Sequence, residues 1–120
     1  MGDSFKDLVV WQRSVQLSLA IYNLTQSFPD SERFGLTNQL RRASVSIASN
    51  IAEGYGRSTK GEYLLFLGHA RGSNCEVQTQ LVISDGLGFG KTPTRREAEG
   101  LSEEVSRMLV AIMSKLKQRK

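Results

Sequence analysis

The nearest thing to a reactive constellation in this chain is a set of polar residues on one helical stretch. Arg42, Ser46, Ser49 and Glu53 are separated by four, three and four positions, which places them on one side of a helix, with Asn50 alongside. A guanidinium, hydroxyls, an amide and a carboxylate at that spacing can form a hydrogen-bonded network. Glu53 would pair with Arg42, with Arg57 or with an arginine of a neighbouring subunit. General acid–base catalysis would need a companion acid or base, and the segment offers none. Arg42, Ser46, Asn50 and Glu53 are therefore read as a structural polar network, and no residue is assigned a catalytic role.

The other candidates are weaker. His69 is the sole histidine and has no second metal-type ligand at helical spacing, so a surface or packing role is expected and no metal or cofactor is implied. Cys75 falls mid-helix, away from the helix N-terminus that lowers a thiol pKa, and is expected to be a small packing residue. The many serines lack a base arranged as in a triad. The segment GYGRSTKGE at 54–62 follows a helix and has the wrong spacing for a nucleotide-binding loop. It could at most hold one phosphate on free N–H groups at the start of the next helix, beside Arg57 and Lys60, or else form a plain turn with solvated cations.

Charge is the remaining chemical signal. The chain has 120 residues and a formal net charge of +4. Its cations concentrate at Arg57 and Lys60, at Arg95 and Arg96, and at Lys115, Lys117, Arg119 and Lys120. These eight are the candidate contacts to nucleic-acid phosphate. The last four also match the negative end of a helix dipole. Most aromatic residues fall on apolar stripes, so a base-stacking platform is not expected and any nucleic-acid contact should be phosphate-led.

The elements that position these residues read as helices. Leu36, Leu40, Ala43, Ile47 and Ile51 line one face of a helix over about 36–54, among the small residues Ser44, Ser46, Ala48, Ser49 and Ala52, as suits an inner bundle helix. Gly54 and Gly56 are expected to stop it in left-handed conformations. A first helix, about 8–27 and ended by Pro29, carries two stripes: Leu8, Trp11, Val15, Leu19 and Tyr22, and Val10, Leu17, Ile21, Leu24 and Phe28. That face is wider than one seam needs, so it either touches two neighbours at a bundle corner or contacts another subunit.

A third helix, about 59–88, starts with Thr59 and Glu62 at capping-box spacing. Its main stripe is Tyr63, Phe66, Leu67, Ala70, Val77 and Leu81, and Gly68 and Gly72 are expected to let the second helix approach closely. A fourth helix, about 95–118, is expected to be capped by Thr94 with Glu97 and to bury Ala98, Leu101, Val105, Met108, Leu109, Ile112 and Leu116. With only two prolines and no alternating runs, the fold class is all-α: an up-down four-helix bundle forming a single domain over 1–120. One cysteine excludes an internal disulfide and suits a reducing cytoplasm. No apolar run approaches a membrane span, and no signal-peptide pattern opens the chain.

Two blocks carry a family resemblance. LTNQLRRASVSIASNIAEGYGR at 36–57 and EYLLFLGHARGSNCEVQTQLVISDGLGF at 62–89 resemble the four-helix-bundle family of 23S ribosomal RNA intervening-sequence proteins, also described as ribosomal proteins. The opening LVVWQRSVQLSLAIYNLTQSFPDSERFGL fits the same pattern, including its FP-x-x-E-x-[FY]-G-L entry to the second helix. Cys75, Val77, Gly86 and Phe89 depart from the family pattern and bear on local packing. The resemblance implies a bundle that assembles into a homo-oligomer, a ring of five. Its link to ribosomal RNA is the genomic location of some members, and distant relatives are accessory proteins of diversity-generating retroelements that bind a reverse transcriptase and nucleic acid. The expected function is a non-catalytic oligomer binding RNA or another nucleic acid through basic patches. The alternative is an oligomeric scaffold that docks a protein partner.

Overall fold

The computed structural model describes residues 4–119. Lys120, one of the expected phosphate contacts, lies outside the described residues. A 3₁₀ turn at Phe5–Asp7 leads into α1 (Val9–Thr25), and a second at Asp30–Glu32 leads into α2 (Leu36–Tyr55). Then come α3 (Lys60–Gly86) and α4 (Thr92–Gln118). Each helix packs on the two that flank it, with α2 and α3 most intimate and the diagonal pairs apart, which is the up-down arrangement that short connections favour. The bundle measures 49 × 24 × 22 Å. No helix among the described residues is long and apolar enough to cross a membrane.

The helical spacing delivers the core. Leu40, Ala43, Ile47 and Ile51 of α2 are buried, as are Leu67, Ala70, Val77 and Leu81 of α3 and Ala98, Val105 and Leu109 of α4. Of the two stripes on α1, the one containing Val10, Leu17, Ile21, Leu24 and Phe28 is buried, while Leu19 of the other stays 66% exposed. Ser14, Thr25 and Ser84 enter the interior with their hydroxyls bonded to their own helices. Ser14 donates to the Val10 carbonyl at 2.7 Å, Thr25 to Ile21 at 2.8 Å and Ser84 to Leu81 at 3.0 Å.

Two helix-end expectations are corrected. The fourth helix begins at Thr92, with Lys91 as its cap and Pro93 in the first turn; Thr94 lies inside and donates to the Lys91 carbonyl at 2.8 Å. Pro93 lacks the N–H that a first-turn residue would leave unpaired anyway, so it extends the helix backwards. Gly56 closes α2 at φ −80°, not in a left-handed conformation; Gly88 and Gly90 are the described glycines at positive φ. The entry to α2 is capped from a distance: Gly35 has no side chain to offer, and the Glu32 carboxylate accepts from the Leu36 N–H at 3.0 Å.

Close approach between α2 and α3 is made by a different glycine from those expected. A Cβ on Gly54 would sit 2.7 Å from the Phe66 Cβ and 3.3 Å from the Tyr63 carbonyl. Gly72 has nothing within 4 Å and is exposed, and Gly68 faces Met113 of α4 at 4.0 Å. Cys75 is exposed too, on the outer side of α3, so it is not the packing residue its mid-helix position suggested.

Candidate nucleic-acid interface

One end of the bundle is built from the α2–α3 turn and the C-terminus of α4. Thr59, in extended conformation, caps α3 by accepting from the Glu62 N–H at 3.1 Å and donating to the Glu62 carboxylate at 3.0 Å. Arg57 donates to the Glu53 carboxylate at 2.9 Å, one turn back on α2, and lies 4.7 Å from the centre of the Phe66 ring. The Lys60 ammonium donates to the carbonyl of Arg119, at the negative end of the α4 dipole. That contact joins two basic clusters almost sixty residues apart in sequence. Lys115 and Lys117 on the last turn of α4, and Arg119 just past its end, are exposed and without an ion pair among the described residues.

Arg57, Lys60, Lys115, Lys117 and Arg119 are therefore brought to one end. The structure gives the phosphate reading of the α3 start less room than the sequence did, because the Glu62 carboxylate already occupies that turn. The aromatic side chains nearby are engaged with each other. Tyr55 and Tyr63 meet edge to face at 6.0 Å, Phe66 is covered by Arg57, and Phe5 meets Trp11 at 5.3 Å. Burial, and next to it the charge of Tyr55, hold the Tyr63 phenol pKa above its usual value of 10.0.

Arg95 and Arg96 belong to the opposite end, and only Arg96 faces solvent. Arg95 is 5% exposed. It pairs with Asp85 at 3.2 Å and donates to the carbonyl of Phe89. This corrects its expected role. The chain between α3 and α4 turns through Gly88 and Gly90 at positive φ and tucks Phe89 against Phe28 of α1, 5.7 Å between ring centres. A carbonyl turned inward by that loop needs a donor, and Arg95 supplies it.

The polar network forms with altered membership. Asn50 donates to the Ser46 carbonyl at 2.8 Å and to its hydroxyl at 2.9 Å, and the Ser46 hydroxyl meets Ser73 of α3, also at 2.9 Å. Glu53 turns to Arg57, and Arg42 makes no ion pair among the described residues. A second, fully buried pair was missed in the sequence. Asn74 donates to the Ser102 carbonyl at 3.0 Å, and the Ser102 hydroxyl donates to the Asn74 amide oxygen at 2.7 Å, clamping α3 to α4. The signal was present, since Asn74 falls four after Ala70 and three before Val77, and Ser102 falls likewise between Ala98 and Val105.

His69 is exposed, with its ring edge-on to Phe66 at 5.7 Å. No three His, Cys, Asp or Glu side chains gather as a metal site among the described residues. Among the described residues, the cationic end presents exposed Lys115, Lys117 and Arg119 side chains whose charge can attract phosphate.

The fold has a solved counterpart. The crystal structure of a protein of unknown function from the S23 ribosomal protein family of Bacteroides thetaiotaomicron superposes with a TM-score of 0.78 over 88% of this chain and 98% of that one, at 19% identity. At that identity the likeness speaks for the fold alone. No curated protein matches the chain. The model of the 23S rRNA-intervening sequence protein family matches residues 6–111, nearly the whole bundle, and the chain belongs to that family.

Proposed function

We propose that this protein is a non-catalytic, cytoplasmic homo-oligomer that binds RNA or another nucleic acid through backbone phosphates. The observation that carries the reading is the Lys60 contact to the Arg119 carbonyl, which gathers Arg57, Lys60, Lys115, Lys117 and Arg119 at one end of a narrow bundle. The acidic residues of α4, Glu97, Glu99, Glu103 and Glu104, lie earlier on the helix than Lys115, Lys117 and Arg119, so they are kept off the last turn that carries those cations. With the local aromatics engaged in packing, contacts are phosphate-led and sequence preference is weak. Assembly is supported by apolar side chains that one bundle leaves in solvent, among them Leu19 at 66% and Val82 at 71% exposure. A ring of five, as in the resembled family, would repeat the cationic end and multiply weak contacts.

Titration of structured RNA at several salt concentrations tests the reading. Wild type should bind saturably in the micromolar range. Replacing Lys115, Lys117, Arg119 and Lys120 with Gln should reduce the salt slope by up to about 3, with helicity and oligomer mass kept. Absence of saturable binding at low salt overturns it. The alternative, a scaffold that docks a protein partner, draws on the same exposed apolar side chains together with Phe34, which is 85% exposed. It expects a protein partner whose affinity is indifferent to those four changes.

A further inference from the structure

Away from the cationic end, α1 and α2 enclose a groove of about 570 Å³ lined by Tyr22, Asn38, Arg41, Arg42, Val45 and Ser46. Two of the six are arginines, and none is acidic. Arg41 is held in place twice. Its Nε donates to the Thr25 hydroxyl at 2.9 Å, and its guanidinium lies over the Tyr22 ring, 4.6 Å from the centre. Thr25 is itself anchored to the Ile21 carbonyl. These restraints fix the plane of the guanidinium while its terminal nitrogens form no ion pair among the described residues. Arg42, the next residue, is exposed and likewise unpaired. Asn38 lies one turn earlier on α2 and adds an amide donor. Glu76 lines the adjoining groove on the other side of Arg42, not this one.

An arginine immobilised by a hydrogen bond and an aromatic face has already lost much of the rotamer freedom that binding would cost, and its planar fork suits an oxyanion. Two forks and an amide offer more donors than one carboxylate can accept, whereas a phosphodiester presents two non-bridging oxygens with ester oxygens beside them.

We propose that the α1–α2 groove is a phosphate site, in which Arg41 and Arg42 grip one backbone phosphate of a bound RNA strand. The inference rests on the nucleic-acid reading above and adds an ordered anchor to the looser contacts at the cationic end. Arg41→Lys keeps the charge but loses the fork and the stack. Arg42→Gln removes an exposed side chain that forms no ion pair or hydrogen bond among the described residues, so the fold should be kept. The full chain, in its native assembly, is titrated with structured RNA, with a polyglutamate peptide, and with RNA in the presence of inorganic phosphate against chloride at equal ionic strength.

Arg42→Gln should weaken RNA binding about three- to tenfold, with unchanged melting temperature. Arg41→Lys should weaken it similarly while leaving the salt slope at its wild-type value. Inorganic phosphate should compete better than chloride with wild type and lose that advantage with Arg42→Gln. If both variants bind RNA as wild type does, while the four-Gln variant of the α4 tail does not, the groove site falls and the nucleic-acid reading stands. If wild type binds no RNA, both fall. Polyglutamate bound more tightly than RNA, or an Arg42→Gln protein of reduced oligomer mass, would assign the groove to a carboxylate-bearing protein surface and overturn the phosphate site.

Discussion

The two ends of this bundle use the same kinds of residue for opposite purposes. At the end formed by the α2–α3 turn and the α4 C-terminus, Lys115, Lys117 and Arg119 stand in solvent, and Lys60 reaches only a backbone carbonyl. At the other end Arg95 is buried, paired with Asp85 and bonded to Phe89, where it closes the α3–α4 connection. The glycines divide in the same way. Gly54, at the first end, is small so that two helices can touch; Gly90, at the second, combines φ +83° with a packing position in which a Cβ would lie 2.6 Å from Leu24. A cation or a glycine in the sequence thus has no fixed meaning. What surrounds it decides whether it binds, packs or turns.

The largest effect should come from filling the close approach at the first end. Gly54→Leu forces a side chain against the Cβ of Phe66, which cannot swing aside, and should cost about 3 kcal/mol in a chemical-denaturation curve. A small loss would mean that α2 and α3 separate easily there, and the contrast between the ends would weaken.

Next comes Arg95→Met. It leaves the Phe89 carbonyl without its donor and should cost about 2 kcal/mol, with RNA affinity unchanged. A variant that folds as well as wild type but binds RNA less tightly would reverse the roles assigned to the ends. A gain is expected at Gly72, which is exposed, helical and met by nothing within 4 Å. Gly72→Ala should raise stability by about 0.8 kcal/mol, visible as a higher melting temperature. A loss there would show that a second subunit covers the site.

The smallest effect concerns pH. The Tyr63 phenol holds its proton more tightly in the folded chain than in the unfolded one. Below about pH 10 both states are protonated and no penalty arises. Above it the unfolded chain loses the proton first, so stability falls as pH rises. Tyr63→Phe should flatten that alkaline decline in melts at rising pH, while substitutions at the Arg95 end should leave it unchanged.

Much of this was legible before any coordinates. The helices follow from apolar residues at steps of three and four, because burial of a continuous face dominates the energetics and does not depend on partner details. The Thr59 cap was legible because it acts within four residues. The Thr94 cap was misplaced because Pro93, usually read as a stop, is tolerated in a first helical turn. The Asn74–Ser102 clamp was visible as two polar residues on apolar stripes, but that they meet depends on the relative register of α3 and α4.

What the sequence determined by itself was the number of helices and most of their inward faces, since these rest on local spacing and on side chains whose hydrophobicity travels with them, while the family was legible in the motif blocks at 36–57 and 62–89. Only the tertiary structure decided which arginine is buried, which glycine lets helices touch, and that residues near 60 and 119 meet. Each of those outcomes depends on how long-separated segments are brought together, and side-chain identity carries no record of that distance. The free fork of Arg41 was hidden for the same reason: Tyr22 and Thr25, which hold it, lie on a different helix.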